Sequence, residues 1–177
     1  MSGPFRAARL FWLGILLVTF TLSGCGYRFP GTSGGVELAP ELHGATIAIT
    51  GEGAAEDPLL AKRLGQLLAS RLGMPLAGRE ATPSAARLQI ELAKPERSLL
   101  SESGSGRTGQ YRVVLVAQPV LVKDGKEARG HYPQVRGSAS HYQLGAGATN
   151  RATSLKAEEE ALNQLADSLI SILGGGL

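Results

Sequence analysis

Cysteine occurs once in the 177 residues, at Cys25, so neither an intramolecular disulfide nor a centre built from several thiolates can form. Aromatic side chains are almost as scarce. Three of the four phenylalanines and the single tryptophan precede Cys25, leaving Phe29 and four tyrosines for the rest of the chain. The core must therefore be mainly aliphatic, with few flat surfaces on which bases or sugars could stack. An excess of one charge sign is missing too. Of 18 basic and 15 acidic residues, Arg6 and Arg9 precede Cys25 and no acid does, so the remainder is close to neutral despite a sequence pI of about 9.2. A nucleic-acid partner, which calls for a strongly basic surface, is not expected.

What is present at the N-terminus is an address. Arg6 and Arg9 precede an uncharged apolar run from Leu10 to Leu22, which closes on Leu22-Ser23-Gly24-Cys25. The run is short for a permanent membrane span, which needs about 20 apolar residues to cross a hydrocarbon core of roughly 30 Å. Small residues at Ser23 and Gly24 let a peptidase approach the backbone. The apolar-apolar-small-Cys order is a bacterial lipobox, whose thiol takes a diacylglycerol before cleavage and whose new amine is then acylated. A plain secretory signal with an incidental cysteine is the competing reading. Two or three acyl chains anchor stably where one would be marginal. Gly26, where an inner-membrane retention signal would place Asp, favours sorting to the outer membrane. Residues 1–24 are thus expected to be a signal peptide, 25–37 a lipidated cysteine with a flexible tether, and 38–177 one domain on the periplasmic side.

Within that domain the patterning alternates between periods of two and 3.6. Ala45 to Thr50 places Ile47 and Ile49 on one face and is stopped by Gly51-Glu52-Gly53. Asp57-Pro58 supplies an N-cap and a first-turn proline. Leu60, Leu64, Leu67, Leu68 and Leu72 then form one helical stripe up to Gly73, with Lys62, Arg63, Gln66 and Ser70 on the solvated side. Arg87 to Leu92 alternates strictly. Tyr111 to Val122 is apolar on both faces, one row running through Tyr111, Val113, Leu115 and Leu121 and the other through Val114, Val116, Val120 and Val122. Such a strand expects cover on both sides, from a partner or an acyl chain, or from a long loop over a central strand. Asp124-Gly125 marks a tight hairpin, and Gly130 to Tyr142 is expected to return, Pro133 implying an edge or a bulge. Leu155, Leu162, Leu165, Leu169 and Ile172 predict a last helix, with Glu158, Glu159 and Glu160 in its first turns complementing the helix dipole. The fold class that follows is α+β: a two-layer sandwich of two helices on a four-stranded mixed sheet, in the order β-α-β-β-β-α.

Chemistry-bearing patterns are few. His43, His131 and His141 are far apart and match no metal-ligand spacing; if the returning strand has no bulge, the last two share a face. No serine sits in a nucleophile elbow. Glu158, Glu159 and Glu160 point in different directions and cannot converge on one bond. Gly104-Ser105-Gly106-Arg107-Thr108-Gly109 lacks the Lys-Ser/Thr of a phosphate loop and reads as a hairpin loop, although Arg107 could meet an anionic headgroup in a bidentate fork. Neither a cofactor nor a metal nor catalytic turnover is expected.

In their order and spacing these pieces resemble the LptE family of lipopolysaccharide-assembly lipoproteins. Cys25-Gly26-Tyr27-Arg28-Phe29 is similar to the family's Cys-Gly-aromatic-basic start, and Leu38-Ala39-Pro40-Glu41-Leu42 to its Leu-Pro element. Gln110-Tyr111-Arg112-Val113 looks like the opening of its long strand, and the Asp124-Gly125 turn and the final Ala/Glu/Leu helix fit as well. Gly51-Glu52-Gly53-Ala54-Ala55 departs from the Arg/Pro/Phe/Asn-type sequence that many members carry after the first strand. The resemblance implies a plug within the outer-membrane β-barrel LptD that assists barrel assembly and lipopolysaccharide delivery. It implies basic contacts to lipopolysaccharide in the regions of Arg107 and Arg151. Tyr111, Val114 and Val116 are expected at the partner contact. The competing function is a lipoprotein that activates or scaffolds another envelope machine, a peptidoglycan synthase or a lipid-transport complex.

Overall fold

A long strand organises this chain because its two edges and two faces are all used. The computed structural model describes residues 38–78, 86–102, 108–128, 132–144 and 148–174. The elements in chain order are β1 (Thr46–Thr50), α1 (Glu52–Glu56), α2 (Pro58–Leu72), β2 (Arg87–Leu92), β3 (Glu96–Glu102), β4 (Thr108–Lys123), β5 (Lys126–Ala128), β6 (Val135–Leu144) and α3 (Ala148–Leu173), with a 3₁₀ turn at Pro40–Leu42 ahead of them.

The 16-residue β4 is the spine of a six-stranded mixed sheet. Along one edge it pairs antiparallel with β2 through Ala117 to Val122 and with β3 through Gly109 to Val114. Along the other it pairs with β5 from Leu121 and with β6 from Thr108 to Ala117. β1 joins outside β2 in parallel. The registers align Ile47, Leu88 and Leu121, and Ile49, Ile90 and Pro119, on the face that meets the helices. Asp124 and Gly125 both take positive φ, as the β4–β5 hairpin requires.

Both long helices pack on that face. Asp57 accepts from the Leu60 N–H at 2.9 Å to begin α2, and Gly73, at φ 66°, ends it in the left-handed region. Leu64 and Leu68 of α2 are fully buried, as are Leu165, Leu169 and Leu173 of α3 and Leu88, Ile90 and Leu115 of the sheet. Each such side chain contributes about 1.5–3 kcal/mol through removal from water. Small side chains bring α3 close to β6: Ala157, Ala161 and Ala166 are buried, and Gly137 lies under the helix backbone. The α3 side chains also blunt the outer edge of β6, where the Ser138 N–H donates to Gln164 and the Thr153 hydroxyl to the Tyr142 carbonyl.

The α+β sandwich is as expected from patterning, with additions. β3 is a further strand, exposed at every residue, and α1 is a short helix where only a break was expected. The returning strand is divided into β5 and β6. Between them Tyr132 turns inward, its hydroxyl donating to Glu41 at 3.2 Å and its carbonyl accepting from Gln118 at 2.6 Å. The last helix begins at Ala148, ahead of Leu155, which moves Glu158, Glu159 and Glu160 out of its first turns. Their expected role at the helix dipole is corrected accordingly, because that field acts within the terminal turn.

Burial, reinforced by the neighbouring Glu41 carboxylate, raises the Tyr132 hydroxyl from 10.0 to about 12. A raised folded-state value means that this contribution to stability is complete below pH 10 and is lost as pH rises toward 12. In alkaline unfolding followed by circular dichroism, Tyr132→Phe is expected to show a shallower loss of stability between pH 10 and 12 than the parent. Parallel curves would contradict this.

Candidate functional site

Strand alternation and one helix start bring several polar side chains to the same end of the sheet. Arg97 on β3 is paired in register with Val113, which faces the helices, so its side chain reaches toward α3. There its guanidinium donates to the Glu158 carboxylate at 2.6 Å. On the other edge of β4, Gln143 of β6 shares the helix-facing side with Ala139 and His141. The first turns of α3 add Arg151, Ser154 and Leu155. Together these residues line an open groove of about 420 Å³. Arg151 and Leu155 are exposed, and Arg151 has no ion-pair partner among the described residues. Leu99, on the same face of β3 as Arg97, is also half exposed, so cationic and aliphatic surface adjoin.

The groove can take an anion attached to an apolar body. Guanidinium groups match phosphate oxygens in bidentate pairs, and Ser154 and Gln143 offer neutral donors beside them. Among the described residues no three His, Cys, Asp or Glu side chains gather as a metal-binding group. No described helix is long and apolar enough to cross a membrane.

Of the residues singled out from sequence, Arg151 lines the groove, on α3 itself and not in a segment before it. Arg107, Cys25 and His131 lie outside the described residues. His43 is exposed in the turn after the 3₁₀ segment. Tyr111, Val114 and Val116 divide between the two faces of the sheet. Tyr111 is half-buried on the helix-facing side, whereas Val114 and Val116 point to the opposite one, Val114 half-buried and Val116 buried. The two apolar rows of β4 are thus present as expected, and the opposite row includes the fully buried Val120. Sequence reasoning missed Arg97 and the pairing of Glu158. No hydrophobic period marks that segment, because Glu96–Glu102 is exposed at every residue.

His141 is buried at 7 % exposure and stacks on Tyr111, with centroids 5.9 Å apart. Among the described residues its Nδ1 has no hydrogen-bond partner, and Nε2 has only a long 3.5 Å approach to Gln143. An unmade hydrogen bond in a covered place is costly, so His141→Phe, which keeps the stacking, is expected to be neutral or stabilising by about 1 kcal/mol. Chemical denaturation measures this; a loss of stability would show that the imidazole nitrogens are needed.

No protein-family model matches the sequence, and no curated protein is similar to it at a significant level. Solved lipoprotein structures superpose on this chain at low sequence identity. Lipoprotein B from Nitrosomonas europaea superposes with a TM-score of 0.52 at 17% identity, over 86% of this chain and 96% of that one. A minor lipoprotein from Acinetobacter baumannii gives 0.48 at 13% identity over 75% and 92%, and the rare lipoprotein B from Shewanella oneidensis 0.42 at 19% over 74% and 92%. The chain therefore shares its fold with the Nitrosomonas lipoprotein B across nearly the whole of that structure.

Proposed function

We propose that this chain is a non-catalytic lipoprotein of the bacterial outer membrane, anchored through Cys25, which seats in an LptD-type β-barrel as its plug and helps lipopolysaccharide toward the outer leaflet. The observation that carries this reading is the groove at the end of the sandwich, which Arg97, Arg151 and the exposed Leu155 line, with the half-exposed Leu99 two residues along β3 from Arg97. A phosphorylated glycolipid presents the complementary pair, anionic head and apolar chains. The lipobox at Cys25 and the fold shared with a protein named lipoprotein B support an anchored place in the envelope.

The mechanism is physical. Acyl chains concentrate the domain at the membrane, the sandwich fills a lumen, and guanidinium groups replace divalent ions at glycolipid phosphates. The full chain in detergent is expected to bind lipid A micelles, and Arg151→Glu to weaken that binding by about tenfold, since it removes one charge-assisted contact and adds a repulsion. Unchanged binding by the variant would sink the assignment of the groove. If cell-wall synthases or lipid-transport proteins are recovered with the chain in place of a barrel, it belongs instead to the activators and scaffolds of those machines.

A further inference from the structure

The groove contains one feature that works against an anion. Glu158 lies inside it, its side chain only 16% exposed, and holds the Arg97 guanidinium at 2.6 Å. We infer that Glu158 is a built-in competitor for Arg97, which an incoming multiply charged phosphate displaces, so that this carboxylate sets both the affinity and the charge selectivity of the groove. The inference rests on the anion-binding reading given above and assigns to Glu158 a role that reading does not require.

Two observations and the chemistry of phosphate carry it. The Arg97 side chain is 59% exposed, so its end of the ion pair is screened by solvent and exchangeable, while the Glu158 end is largely covered. Phosphate offers the guanidinium two oxygens in a bidentate fork and, when dianionic or paired with a second phosphate, more charge than one carboxylate. Arg151, on the same groove and without an ion-pair partner among the described residues, supplies a second cation without any exchange. The other nearby acids do not substitute for Glu158. Glu159 and Glu160 are exposed on other sides of α3, and Glu96 alternates to the opposite face of β3 from Arg97. A singly charged ligand gains too little at Arg151 to overcome the repulsion of Glu158. A diphosphate or clustered phosphomonoesters can occupy both arginines.

The test is calorimetric titration of the full chain in neutral detergent with inorganic pyrophosphate and, in a second arm, with vesicles containing phosphatidate in phosphatidylcholine. Glu158→Gln, which keeps the side-chain shape and removes the charge, is expected to tighten binding about fivefold. The gain should disappear in the double variant Arg97→Gln/Glu158→Gln, which a merely structural role for Glu158 would not explain. Tightening in both arms indicates recognition of phosphate as such, and tightening with vesicles alone indicates a lipid-borne headgroup. Binding that is unchanged or weaker in Glu158→Gln, or a gain that persists without Arg97, overturns the inference. Loss of lipid A binding in Arg151→Glu with no tightening in Glu158→Gln would leave the groove as the anion site and remove only the competitor.

Discussion

Gly137→Ala is expected to destabilise the domain by about 3 kcal/mol, or roughly 8 °C in melting temperature. A methyl group there would overlap the Ala161 carbonyl oxygen and stand 2.8 Å from the Leu165 Cβ. The obstacle is helix backbone, which cannot turn aside as a flexible side chain can. Relief requires α3 to lift from β6, which loosens contacts around Leu165 and Leu169 and shifts the N-terminal turns that form the groove. Ser140→Ala, on the exposed face of the same strand, serves as control and should stay within about 0.5 kcal/mol of the parent. Thermal denaturation followed by circular dichroism decides; similar melting of the two variants would mean that α3 does not approach the sheet so closely.

Cys25→Ser is expected to have an all-or-none effect on attachment. With no other thiol in the chain, incorporation of labelled palmitate in growing cells should fall to background and the protein should leave the membrane fraction. The folded domain itself should be unaffected, because its core begins with Leu42 and lies within Gly35–Leu177. Label retained in the serine variant, or a parent protein that never takes up label, would remove the anchor from the proposal.

Local chemistry made much of the fold legible. Asp57-Pro58 and Gly73 bound α2 because capping and left-handed termination depend on single residue types, and Asp124-Gly125 fixed the hairpin in the same way. Strict alternation exposed β2 because only one of its faces is buried. β3 gave no such contrast. It is exposed on both faces and held by its ladder to β4, so no hydrophobic period marks it. The start of α3 was obscured for a related reason. Asn150, Arg151 and Ser154 line a groove and not the core, and the apolar stripe becomes continuous only further along.

The groove was correspondingly half legible. Arg151 stood out through resemblance, but its companion Arg97 is 61 residues from Glu158 in sequence and belongs to the strand that patterning did not reveal. Without β3, Glu158 reads as one of three surface acids complementing the helix dipole; with β3 in place, it is the acid that faces an arginine. The division of Tyr111 from Val114 and Val116 was readable from strand parity alone, whereas the unpartnered Nδ1 of His141 depends on what α3 covers.

The most direct test of the proposed function is affinity isolation of the lipidated protein from its own outer membrane after mild detergent extraction, with quantitative mass spectrometry of what accompanies it. A large outer-membrane β-barrel recovered in equal molar amount is the predicted result. Recovery of the chain alone, or with cell-wall synthases and no barrel, would contradict it.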